Sequence, residues 1–343
     1  MSRTRLGVLL LVLLVAGATG SWADSWQEAR TRHFLFLFEP RDRAAVDELL
    51  TFCEDVYTRV TAFFGSSPPL VPVVVRGRHD DANGVTYSMP ARIELYLTAD
   101  ATQEFGPRTD SWLRMLLTHE LTHFVHQSMD TGLLHALSLV LGPPAAAWSL
   151  AYLPGWAVEG PAVYDETRFT TGGRGRSALF EIYAKAPLEE GALFTLDQAG
   201  YPSAFPPAGR QYVAGWMLVD WLQESYGPDT LRRVMDAYLD FPFLGPWDAI
   251  RAVTGKDAGT VFSEMRARLS ARYADDAAVE GGARVSPRRV GSWSRPQPTT
   301  RGLYVYRTGP EVLPAIVRLD PSTGTETVLL TAALTDRSSF SAS

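Results

Sequence analysis

The sequence predicts an α+β chain: a mixed α/β segment first, a helical segment next, and a short run of strands towards the C-terminus. Three observations predict it. Apolar runs of strand length occur at 34–38, 71–75 and 93–97, the first two separated by one long amphipathic stretch. From 112 to 273 apolar residues recur largely at helical spacing, with Gly and Pro pairs as breaks. Beyond about 298, strand-like runs return. At 343 residues the chain can bury a substantial core and has room for more than one domain.

The first 23 residues read as a targeting signal. Arg3 and Arg5 precede an apolar run from Leu6 to Ala16, and Ser21-Trp22-Ala23 resembles a cleavage site, so the mature chain is predicted to begin at Asp24 and to be exported, to a periplasmic or extracellular location. An uncleaved anchor is the alternative, although the run falls short of the roughly 20 residues that span a bilayer. Cys53 is the single cysteine, which excludes an internal disulfide and a cysteine metal site. A net charge of −6 without a basic cluster gives no support to nucleic-acid binding.

Phe34–Phe38 is predicted as a strand, Asp42 to Phe64 as an amphipathic helix ending at Gly65, and Val71–Val75 as a second strand. His79, Asp80, Asp81, Asn83 and Gly84 read as a polar turn, and Ile93–Leu97 as a third strand. The next helix has Asp110 or Ser111 as its cap, helical spacing through Trp112, Leu113, Leu116, Leu117, Leu121, Phe124 and Val125, and Gly132 as its end.

Within that helix stands His119-Glu120-Leu121-Thr122-His123. Residues four apart share a helix face, so each imidazole can offer one nitrogen to a tetrahedral Zn²⁺ at about 2.0–2.1 Å. Glu120 projects beside the metal, where a carboxylate can take a proton from water. The bland alternative is an ordinary helix with two hydrogen-bonded histidines. His126 is not a third ligand: seven residues of helix put it about 10 Å from His119, and a backbone hydrogen bond or a substrate contact is the expected use. His33 and His135 have no companion pattern. A third zinc ligand is available downstream in Glu159, a carboxylate in the apolar, aromatic-flanked segment 153–166, where an unpaired charge is costly. A metal, a helix cap or an arginine partner would each remove that cost. Glu166 follows by two helical turns and can face the same side, as a partner for a ligand histidine or as a solvated carboxylate; Asp165 lies off that face.

The His-Glu-Leu-Thr-His of 119–123, the Trp-x-x-Glu-Gly-x-Ala-x-Tyr-x-Glu run of 156–166, and Tyr212-x-x-Gly215 before Trp221-Leu222 and Tyr226-Gly227 together resemble the gluzincin metallopeptidases of the peptidase MA-like group. The resemblance runs from about Phe34 to about Tyr273. It implies a two-lobed zincin-like fold, one Zn²⁺ held by His119, His123 and Glu159, and Glu120 as general base. It also implies Glu166 as the partner of a ligand histidine and Tyr212 as the donor to the developing oxyanion, with Tyr201 and Tyr164 as competitors for that place. The strand just before the zinc helix resembles the edge strand on which gluzincins hold an extended substrate. Pro161 departs from the family pattern and suggests that the helix carrying Glu159 begins only just before it. No Gly-x-Met-Glu-Asn-like segment is present, so an exopeptidase reading has no support.

Residues 131–154 are unusually apolar, interrupted by Gly142-Pro143-Pro144. They read as a buried helical excursion or as a flap for peripheral membrane contact or an apolar substrate. From Tyr212 to Tyr273 the pattern is helical, broken at Gly227-Pro228, Phe241-Pro242 and Gly245-Pro246. The predicted organisation is a signal peptide at 1–23, a metallopeptidase domain at 24–275 (an α/β lobe at 24–155 and a helical lobe at 156–275), a linker at 276–297 and a strand segment at 298–343. The strands 302–306, 315–319 and 325–330 resemble one blade of a TolB-like β-propeller, a module that would bind a protein partner; a hairpin appendage is the alternative. The whole reads as an exported zinc metallopeptidase acting on a peptide or protein substrate. A zinc hydrolase of a non-peptide bond and a non-catalytic zinc-binding scaffold are the rivals.

Overall fold

The computed structural model describes residues 26–80, 82–99, 111–129, 132–141, 152–203, 209–275, 292–309 and 312–331; the signal segment, the Gly142-Pro143-Pro144 break and most of the linker lie outside them. The described residues hold nine α-helices and two sheets. They divide into two compact units, one reaching to Tyr273 and one containing the C-terminal strands.

The first unit starts with β1 (Gln27–Arg30) and β2 (Phe34–Phe38), followed by α1 (Arg43–Phe64). Phe34, Phe36 and Phe38 are fully buried while Leu35 and Leu37 are not, the period-2 pattern of a strand with one face on the core. Helix α1 stops at Gly65, whose left-handed φ of 72° lets its N–H close on the Thr61 carbonyl at 2.8 Å. Then come β3 (Val71–Arg76), β4 (Gly84–Ser88) and β5 (Ala91–Tyr96), which complete a sheet of order β1-β2-β3-β5-β4. The three central strands are parallel and the two outer ones antiparallel to their neighbours. Val71, Val73, Val75, Ile93 and Leu95 share a core with the α1 residues Val46, Leu49, Phe52, Val56 and Val60.

The strand before the zinc-motif helix is therefore not the edge. β5 lies between β3 and β4, and among the described strands β4 is the edge on that side, with β1 at the other. Its sequence Gly-Val-Thr-Tyr-Ser is short and buries only Gly84, as suits an edge strand that needs no apolar second face.

Helix α2 (Trp112–Gln127) carries the histidine motif. Ser111 is its cap, accepting the Arg114 N–H on Oγ at 3.1 Å. It ends at Ser128, whose hydroxyl donates back to the Phe124 carbonyl at 2.6 Å, so Gly132 opens the next helix instead of closing this one. That next helix, α3 (Gly132–Leu141), packs on α7 (Thr230–Asp240), and Leu137 joins the core, yet Leu139, Val140 and Leu141 are exposed. The described part of the apolar stretch is thus not wholly buried. Among the described residues no helix is long and apolar enough to cross a membrane.

Helix α4 (Gly155–Phe169) starts four residues before Glu159 and contains Pro161 in its interior, a longer helix than the proline suggested. Pro161 is buried, and tertiary packing outweighs its missing hydrogen bond. The remaining helices are α5 (Ala178–Glu189), α6 (Arg210–Tyr226), α8 (Pro246–Thr254) and α9 (Ala258–Arg272), with breaks at the Gly and Pro pairs read from the sequence.

The second unit is an antiparallel meander of β6 (Ser292–Thr299), β7 (Gly302–Gly309), β8 (Val312–Leu319) and β9 (Glu326–Thr331). Strand β6 begins inside the stretch read as linker. Its Pro296 and Pro298 are tolerated because β6 is an edge strand, and the ladder shifts register between Ser294 and Gln297. Its small core is Val305, Ala315, Val317 and Leu319.

Candidate metal centre

Four elements of the first unit converge on a cleft of about 290 Å³: edge strand β4, helix α2, and the crossing pair α4 and α6. Helical spacing turns His119 and His123 to one face of α2, and α4 brings Glu159 opposite them. The two histidine Nε2 atoms are 3.2 Å apart. Glu159 Oε2 lies 3.3 Å from His123 Nε2 and 3.6 Å from His119 Nε2.

These three atoms form a triangle that suits a metal ion. Donors about 2.0–2.1 Å from a tetrahedral Zn²⁺ stand roughly 3.3–3.4 Å from one another, close to the three separations here. Glu159 Oε2 is buried and accepts no hydrogen bond in this arrangement, and an orphaned buried carboxylate oxygen is costly unless a cation meets it. Burial alone would raise the Glu159 pKa, but the His123 and His119 rings hold the carboxyl below its ordinary range, so it is an anion. Burial likewise opposes charge on His119; Glu159 and Glu166 reverse that and bring its pKa to about 9. A proton on His119 is what this carboxylate-rich pocket attracts when no metal is bound.

Glu166, fully buried, accepts from His119 Nδ1 at 2.8 Å. That bond leaves the Nε2 lone pair of the neutral ring directed at Glu159. The solvated-carboxylate alternative for Glu166 is thereby removed. Its burial is offset by Arg174, whose backbone N–H reaches Oε1 at 2.7 Å and whose Nη1 reaches Oε2 at 2.8 Å. Burial pushes the Glu166 carboxyl up, and Arg174 and His119 more than restore it to below its usual value. Asp165, next to it, points elsewhere: it accepts the Thr122 hydroxyl at 2.8 Å, and burial drives its pKa well up. It is a neutral tie between α2 and α4.

Glu120 lies on the β4 side of the cleft. Its Oε2 accepts the Thr86 hydroxyl at 2.8 Å, and that oxygen of Thr86 is also 2.9 Å from the Glu120 carbonyl. Its side chain runs against Gly84, where a Cβ would stand 2.6 Å from Glu120 Cγ. Edge strand and motif glutamate are thus fitted to each other.

Of the three tyrosines considered, only Tyr212 lines the cleft. Tyr201 is 75% exposed, and Tyr164 stacks on Phe63 at 5.6 Å. Burial, with a contribution from the Glu159 charge, raises the Tyr212 pKa, so its hydroxyl keeps its proton and remains a donor. His126 is buried against Phe64, its ring 5.6 Å away, with a pKa pushed down to about 3 by burial. It is a neutral core residue and does not line the cleft. His33 stacks on Tyr57 and His79 on Tyr96.

Sequence reading missed Arg174 and Thr86. The only signal for Arg174 is the Gly172-Gly173-Arg174-Gly175-Arg176 string, too dense in glycine for an ordinary helix end. Thr86 gives no signal.

No family model and no curated protein matches the chain. Two solved structures of native leukotriene A4 hydrolase are similar to it, one from Saccharomyces cerevisiae at 12% identity and one from yeast at 13%, each at a TM-score of 0.37. Each match covers 77% of this chain and 40% of the other, so the chain spans about two-fifths of their length. A likeness of this size says nothing of activity.

Proposed function

We propose that this protein is an exported zinc-dependent peptidase of the gluzincin type, with a C-terminal strand unit like one propeller blade that serves a protein partner. One observation carries the catalytic reading: three ligand atoms at tetrahedral spacing, one of them an orphaned buried carboxylate oxygen, beside a glutamate of α2 whose carboxylate is tied to the edge strand by Thr86. His119, His123 and Glu159 would hold the ion, which supplies a Lewis acid and lowers the pKa of water towards about 7. Glu120 takes the proton from the attacking water and delivers it to the leaving amine. The Tyr212 hydroxyl, kept protonated, donates to the oxyanion as it forms. β4, an edge among the described strands, offers its outer side to an extended substrate, which is why a peptide is preferred over a compact small molecule.

The test is Glu120→Gln set against the unaltered protein on a library of unstructured peptides and on a panel of ester and epoxide substrates. Retained zinc with peptide cleavage lowered by at least a thousandfold supports the reading. Full cleavage by the variant, or turnover of the non-peptide panel alone, overturns it.

A further inference from the structure

We infer that Arg174 is the positioning residue of this centre, holding a zinc ligand and the oxyanion donor in one frame; this rests on the metal-site reading above. The chain leaves α4 and doubles back over its last turns through a loop shaped for one purpose. Gly173 has a φ of 93°, and a Cβ there would meet the Thr167 Cα at 2.6 Å. Gly175 donates its N–H to Thr167 Oγ1 at 3.0 Å, and a Cβ on it would strike the Trp216 ring nitrogen at 2.6 Å. Arg176 donates to the Thr167 carbonyl from Nε at 3.2 Å and from Nη2 at 2.8 Å. With both sides anchored, Arg174 is turned inward to the cleft.

There it meets three groups. It gives Glu166 two hydrogen bonds, one to each oxygen, and its Nη1 lies 3.4 Å from His119 Nδ1. Its guanidinium sits over the Tyr212 ring, 5.0 Å from the centroid. Glu166 fixes the His119 ring, so a shift of Arg174 is transmitted to the ligand nitrogen. The same shift frees the Tyr212 ring beneath the guanidinium. Arg174 is not one of the three candidate ligands, and it acts through Glu166 and Tyr212.

The test compares zinc affinity, by competition with a chromogenic chelator, in the full chain and in Arg174→Ala, Glu166→Gln and the double variant, with circular dichroism for folding. Cobalt replaces zinc in parallel, since its visible spectrum reports ligand geometry. Zinc binding by the unaltered chain tests the metal-site reading itself. If it binds, Arg174→Ala is expected to weaken affinity about 10–100-fold and alter the cobalt spectrum. The double variant is expected to stay within twofold of Glu166→Gln, because the arginine acts through that carboxylate. Arg174→Lys, which keeps the charge without the planar fork, should fall between the unaltered chain and Arg174→Ala, and it is the comparison that stands if Arg174→Ala does not fold. Affinities of both arginine variants within threefold of the unaltered chain, or losses that multiply in the double variant, would overturn the inference.

Discussion

Gly160 and Gly215 face each other where α4 crosses α6, so closely that a Cβ on Gly160 would stand 2.5 Å from the Gly215 carbonyl carbon. The crossing lies one residue from Glu159 and three from Tyr212, so it fixes the distance between the proposed metal ligand and the proposed oxyanion donor. Gly160→Ala has no flexible neighbour to displace, only backbone. The expected cost is at the upper end of overpacking, about 3 kcal/mol, with a lower melting temperature and zinc content below one per chain in whatever remains folded. A variant with unchanged melting and full zinc would show that the helices can part here without consequence.

The one proton of the Thr86 hydroxyl lies within reach of two Glu120 oxygens, with the carboxylate the nearer. Thr86→Val keeps the shape of the strand residue and removes the hydroxyl. A hydrogen bond to a carboxylate is worth about 1.5–3 kcal/mol, so kcat is expected to drop roughly 10- to 100-fold at constant zinc content, with KM little changed. Steady-state kinetics on a cleaved peptide would decide it; a rise in KM alone would assign Thr86 to substrate binding instead.

Tyr212→Phe separates donation from packing. The ring and its place under Arg174 survive, while the proton that burial retains is lost. Loss of one positioned oxyanion donor costs about 10²–10³ in kcat, and zinc affinity should stay within a few fold. Activity within threefold of the unaltered protein would move the donor elsewhere in the cleft.

What the sequence disclosed follows periodicity. His119, His123, Glu159 and Glu166 are placed by helical spacing within α2 and α4, and a five-residue motif with a carboxylate pair two turns apart needs only the 3.6 period to be read. The breaks from Gly227 to Pro246 were legible because Gly and Pro act locally. Thr86 and Arg174 were not, since each acts across a tertiary contact. Thr86 meets Glu120 over 34 residues through a strand too polar to announce itself, and Arg174 reaches Glu166 only because two glycines reverse the chain. Pro161 misled for the same reason: the local rule favours a helix start near it, while the packing of α4 on α6 carries the helix through.

Zinc uptake should compete with a proton on His119. In the metal-free chain Glu159 and Glu166 overcome burial and lift that ring from 6.5 to about 9, whereas the ion needs the bare Nε2 lone pair. Below pH 9 each zinc must displace about one proton, and apparent affinity should rise about tenfold per pH unit before levelling off. The metal-free fold follows the opposite course. Its histidine holds the proton up to about 9 while the unfolded chain releases it near 6.5, so that contribution is complete below pH 6.5 and lost as pH climbs to 9. Raising the pH therefore weakens the empty protein and strengthens its hold on zinc. Calorimetry in buffers of different ionisation enthalpy reads the proton count directly, and thermal melts with and without zinc from pH 6 to 9 read the two slopes. Affinity flat across that range would mean that His119 carries no proton for the metal to displace.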